Sequence, residues 1–132
     1  MVFGKKTYLL LFLSIVWAAV IFYLCTMPTN QIPKFEFRLM DKLAHFGIFF
    51  ILSVLLSLLF NFQTRKSYFV IILLSMLIMA VYGGLIEILQ DRFFNRQGDF
   101  YDFIADMAGG FVGALFFPTF IRLFNFLFKS KK

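Results

Sequence analysis

Cysteine is almost missing from this chain of 132 residues: Cys25 stands alone, which excludes an intramolecular disulfide framework and any thiolate metal site. Proline is nearly as scarce, with three, and the only histidine is His45. Charged residues make up 15% of the sequence, against roughly 25% in a typical soluble domain. No internal repeat and no low-complexity linker divides the chain, which excludes a solenoid and gives no sign of a second domain.

Apolar residues fill the space that these absences leave. Hydrophobic side chains account for 61% of the sequence, 22 of them Phe. That is far more apolar surface than a domain this short can bury on itself, so most of it must face lipid. Crossing a hydrocarbon layer of about 30 Å takes roughly 20 apolar residues in a helix. Four such stretches are present, at about 8–25, 39–60, 68–90 and 102–120. The expected fold is all-α, an integral membrane four-helix bundle formed by one domain over residues 1–132.

The breaks between the stretches are short. Pro28 and Pro33 close the first. Asn61 to Ser67 is a tight connection between antiparallel helices, and Asp91 to Tyr101 is the most polar segment, with Asn95 and Gly98 as turn-formers. Pro118 is expected to kink or end the spanning part of the fourth helix, with Thr119 to Phe128 continuing as an amphipathic segment at the interface. Lys5 and Lys6 before the first apolar run raise the alternative of a signal peptide. Phe22, Tyr23 and Leu24 are too bulky for a small-residue cleavage site, so this segment is expected to stay as a helix.

The net charge of +6 does not make a nucleic-acid binder, because Lys and Arg are scattered between and beyond the apolar runs and form no single stripe. Their distribution sets an orientation instead. With both termini cytoplasmic, that side holds Lys5, Lys6, Arg65, Lys66, Arg122, Lys129, Lys131 and Lys132, and the other holds Lys34, Arg38, Lys42, Arg92 and Arg96. Glu36, Asp41, Glu87, Asp91, Asp99, Asp102 and Asp106 then all fall on the outer side.

Three separated segments thereby deliver ionisable side chains to one membrane level. Asp41 and His45, four apart, share a face at the start of helix two, with Lys42 beside them. Glu87 and Gln90, three apart, share a face at the end of helix three. A helix starting near Asp99 aligns Asp99, Asp102 and Asp106 on one stripe, with Asp99 suited to cap it. Asp106 lies a turn deeper, where an ionised carboxylate costs on the order of 2.5–3.5 kcal/mol, so it must face the bundle interior and have a partner. Arg96 is the first choice, its guanidinium fork suiting two carboxylates; Arg92, Lys42, His45 and a bound cation are the others. Below this stripe Ala105, Gly109 and Gly113 recur every four residues and admit a close backbone, for which Gly83 and Gly84 are the expected counterpart. Whether that contact lies within one chain or between copies of a homo-oligomer stays open.

In order and spacing, these pieces resemble the VanZ-like membrane proteins, a family named for a protein associated with teicoplanin resistance. The likeness rests on Asp41-Lys42-x-x-His45-Phe46, Glu87-x-x-Gln90 and Arg96-x-x-Asp99-x-x-Asp102, followed by Gly109 and Gly113. It implies a four-helix protein of the bacterial cytoplasmic membrane and no known reaction. At Asp106 the family pattern usually has Asn, so this chain carries an additional potential negative charge there.

Two functions follow as expectations. The first is a non-catalytic envelope protein that binds an amphiphile, such as a lipid-linked wall precursor or the acyl part of a lipoglycopeptide. His45, Glu87, Arg96 and Asp102 would shape the headgroup pocket, with no cofactor required. The second is an enzyme acting on a lipid headgroup, with His45 as acid–base and Glu87, Asp99 and Asp102 as base or as ligands of a divalent cation such as magnesium or manganese. No nucleophile motif or phosphate-cradling glycine loop supports the second. A transporter is a weaker third reading, since nothing ionisable marks the inner half of the helices. The same residues also fit a purely structural network that fixes helix ends.

Overall fold

A computed structural model of the chain describes residues 4–27, 38–64, 67–94 and 99–127. Four helices make up the described residues: α1 (Lys5–Thr26), α2 (Arg38–Gln63), α3 (Tyr68–Phe93) and α4 (Phe100–Leu127). Each is long and apolar enough to cross a membrane. At 26 residues, α2 and α3 are each roughly 39 Å long, more than the hydrocarbon thickness of about 30 Å. Their ends therefore reach both interfaces, which is the build of a multi-pass membrane protein.

Successive helices run antiparallel, as two apolar clusters show. One joins Leu10 near the start of α1 with Leu58 near the end of α2, Ile71 near the start of α3 and Phe117 in the second half of α4. The other joins Ile21 and Cys25 of α1, Phe49 and Leu52 of α2, and Met79 and Ile86 of α3. The remaining apolar surface points outward, with Phe69 74% and Leu77 60% exposed. Large exposed side chains on all four helices suit a lipid surround, where they need no partner.

α2 is the central element and packs most extensively along α4. The reason is local: a Cβ on Gly109 would strike the main-chain carbonyl of Phe46, and one on Gly113 would strike that of Phe50. The small-residue stripe thus seats α4 against α2, not against α3 as its spacing led us to expect. α3 meets α4 through other residues. Gly110 lies under Met79, and Gly83 lies beside Asp106 and Phe103, whereas Gly84 has only ordinary contact with Phe103. Ala105 is half-buried.

Polar ties supplement this packing. Ser53 Oγ donates to the Gly110 carbonyl at 2.6 Å, and Ser57 and Ser75 share a hydrogen bond at 2.8 Å. Trp17 Nε1 donates to the Ile48 carbonyl at 2.9 Å and Tyr82 Oη to the Ala18 carbonyl at 2.6 Å, fastening α1 to α2 and α3. Such bonds between membrane helices contribute about 0.6 kcal/mol each on average.

Most boundaries differ from the sequence expectation, α2 and α3 running on to Gln63 and Phe93. α1 begins at Lys5 and α4 begins at Phe100. Pro118 neither ends nor divides α4, which continues through it to Leu127. Proline withdraws one donor from the helical ladder, leaving the Ala114 carbonyl without its usual partner, and the bonds on either side carry the helix onward.

Candidate functional site

The start of α2, the end of α3 and the start of α4 lie at one end of the bundle, and their ionisable side chains meet there. Asp99 organises the approach. Its Oδ1 accepts the Tyr101 N–H at 2.9 Å, capping α4, and its Oδ2 accepts Lys42 Nζ at 2.9 Å. Its own N–H donates to Glu87 Oε2 at 3.0 Å. One residue therefore links α2, α3 and α4. Lys42 Nζ also donates to Asp102 Oδ1 at 2.8 Å and lies 5.5 Å from the Tyr101 ring centroid, so a single ammonium holds two carboxylates and an aromatic face.

His45 lies deeper. Its Nδ1 is 2.9 Å from Asp106 Oδ1, and its Nε2 is 3.9 Å from Asp102 Oδ2. The ring is buried and Asp106 is wholly so, with 0% of its surface exposed. Among the described residues, the partner of Asp106 is His45. Arg96 lies outside the described residues, while Arg92 is exposed at the end of α3.

Two acceptors in this basin have no donor among the described residues: Glu87 Oε1 and Asp106 Oδ2, both buried. Asp106 Oδ2 rests against the bare backbone of Gly83, where an added Cβ would stand 3.3 Å from it. Glu87 follows Gly83 by one helical turn, on the same face of α3. Ligand atoms of His45, Glu87 and Asp106 fall within 4.8 Å of one another, and those of Asp41, His45 and Asp102 do likewise. The basin can hold a proton between carboxylates, or a hard cation on oxygen ligands with one imidazole.

Glu87 also borders a groove of about 450 Å³ between α3 and α4, lined by Gly84, Ile88, Asp91, Phe100 and Phe103. Gln90 plays a different part from the one its spacing suggested. It is buried and donates to the Cys25 carbonyl of α1 at 2.7 Å, so it clasps α3 to α1. The groove's apolar wall and the Gly83 seat were not read from the sequence, although Gly83 lies one turn before Glu87 and that spacing was a usable signal.

No family model matches the chain, and no solved structure matches it. The chain is similar to an uncharacterized protein of Schizosaccharomyces pombe (strain 972 / ATCC 24843), 30% identical over 88 residues. The match covers 66% of this chain and 49% of the relative, so the aligned segment is about half the length of that protein.

Proposed function

We propose that this chain is an envelope protein of the VanZ-like kind, placed in a bacterial cytoplasmic membrane with both termini inside, that binds an amphiphile near the outer leaflet. The observation that carries this reading is the continuity between the α3–α4 groove and the acidic basin. Ile88, Phe100 and Phe103 offer an acyl chain an apolar wall, and Glu87 and Asp91 lie at the same groove. Among the described residues, Asp41, Glu87, Asp91, Asp99, Asp102 and Asp106 outnumber Arg38, Lys42, His45 and Arg92 around that end, so the headgroup that fits carries a positive charge, an amine being the simplest. Amine-headgroup lipids and lipoglycopeptides of the teicoplanin type are the ligand classes to test first, the second because of the resemblance noted above; a lipid-linked wall precursor, with its anionic pyrophosphate, suits this basin less well. The positions of the cations support the inward termini.

Purified protein in detergent, titrated with a fluorescent lipoglycopeptide and with an amine-headgroup lipid, is expected to bind one of them saturably. Absence of saturable binding to either overturns the reading. For orientation, Gly4→Cys is expected to react with an impermeant thiol reagent from the cytoplasmic side and Asp91→Cys from the opposite side, while buried Cys25 stays unreactive.

The headgroup-enzyme reading retains one supporting observation, the orientation of the His45 ring by Asp106 at 2.9 Å. Asp99 and Asp102 both hold Lys42, and Asp99 also caps α4, so Glu87 is the carboxylate on which this reading draws first.

A further inference from the structure

We infer that His45, Glu87 and Asp106 form a binding site for one divalent cation of the manganese type, held between α2, α3 and α4 beneath the Lys42 lid. The inference goes beyond amphiphile binding and does not depend on it.

The case begins with Asp106. A fully buried carboxylate has four lone-pair directions to satisfy, and the described residues supply a donor to only one of its oxygens, from His45. Its Oδ2 is left without a donor, and so is Glu87 Oε1 across from it. A donorless buried acceptor has lost its hydration with nothing in exchange, and the loss is greater when it is charged. Two of them in one basin present a cation with two carboxylate oxygens that no described donor occupies. Gly83 makes the approach feasible, since any side chain there would crowd Asp106 Oδ2.

His45 completes the donor set. The nitrogen that faces the two carboxylates is Nδ1, 2.9 Å from Asp106 Oδ1; a cation bound there takes the place of the proton that Nδ1 shares with Asp106, and the proton then sits on Nε2, which faces Asp102 Oδ2 at 3.9 Å. Ligand atoms of the three residues already lie within 4.8 Å of one another, a span that a cation with ligand bonds of about 2.0–2.6 Å can bridge from its centre. The overlapping group of Asp41, His45 and Asp102 is less suited. Lys42 Nζ lies 2.8 Å from Asp102 Oδ1, and its positive charge competes with a cation for that carboxylate. Two carboxylates and one imidazole favour manganese or magnesium over a thiolate-seeking metal, and the nitrogen favours manganese of the two.

The test uses the full chain, purified in detergent, stripped with a chelator and titrated with manganese chloride alone at pH 7.5, with free Mn²⁺ followed by electron paramagnetic resonance. One equivalent is expected to bind per chain. Glu87→Gln and Asp106→Asn are each expected to weaken binding tenfold or more, and Arg92→Gln to leave it within twofold. Should either carboxylate variant fail to fold, the wild-type complex decides by itself: bound Mn²⁺ is expected to show the ¹⁴N coupling of an imidazole ligand, which only His45 can supply. No stoichiometric uptake, uptake without that nitrogen coupling, or uptake unchanged in both folded variants overturns the site. Because no lipid is present in this titration, its failure leaves the amphiphile reading standing.

Discussion

His45 of α2 and Asp106 of α4, 61 positions apart in the chain, face each other at 2.9 Å in the interior of the bundle. Neither is accessible to water to any useful extent, Asp106 being 0% exposed. Each is therefore the condition for burying the other, and the pair fixes the register of α4 on α2 at the end where the carboxylates gather.

Removing one member strands its partner. His45→Leu is expected to lower stability by about 3–5 kcal/mol, the range for an uncompensated buried charge. The joint His45→Leu/Asp106→Leu variant should recover most of that loss, because the stranded carboxylate goes with it. Reversible unfolding in mixed micelles measures both. Losses that simply add would mean the two side chains act separately.

Backbone proximity gives a second contrast. Gly109→Ala places a methyl group on the Phe46 carbonyl and is expected to cost about 1–3 kcal/mol through overpacking. Gly84→Ala meets only the Phe103 ring at ordinary contact distance and should change stability by no more than about 0.5 kcal/mol. Thermal unfolding of the two variants side by side decides it, and equal effects would misplace the α2–α4 seam.

Lys42 sits between the cation site and solvent as a competing positive charge. Lys42→Met is expected to tighten Mn²⁺ binding severalfold by removing a positive charge beside the site and leaving the charges of Asp99 and Asp102 uncompensated, while Lys42→Arg stays near wild type. Calorimetric titration with manganese reads the change directly, and weaker binding in Lys42→Met would reverse the role given to the lysine.

The groove and the basin separate by mutation. Ile88→Trp fills the α3–α4 groove from its apolar wall and is expected to abolish saturable amphiphile binding while Mn²⁺ uptake remains. Parallel titrations with a fluorescent amphiphile and with manganese show whether the two activities part. If Ile88→Trp binds amphiphile as well as wild type does, the groove is not where the acyl chain lies.

Much of the architecture could be read from the chain itself. Four apolar runs of near-uniform length leave little alternative to four spanning helices, and Asp99, Asp102 and Asp106 at spacings of three and four identified the acidic stripe of α4, with Asp99 as its cap. Partner choice was harder. Asp106 was assigned first to Arg96, which lies outside the described residues; the partner that is described, His45, was among the alternatives and comes from a helix whose rotation only packing determines. Gln90 shows the same difficulty: three residues from Glu87, it lies close enough to the next helix to reach the Cys25 carbonyl of α1 instead. The Gly109–Gly113 spacing announced a close helix contact but not with which helix, since a stripe of small residues carries no information about its partner.

The convergence of three helices on one basin is best examined by an experimental density map of the protein grown with manganese, recorded where Mn²⁺ scatters anomalously. An anomalous peak is expected within bonding distance of Asp106 Oδ2, Glu87 Oε1 and the His45 ring, with Lys42 above it bridging Asp99 and Asp102. A map in which His45, Glu87 and Asp106 point to separate surfaces of the bundle, with no peak among them, would remove the shared site altogether.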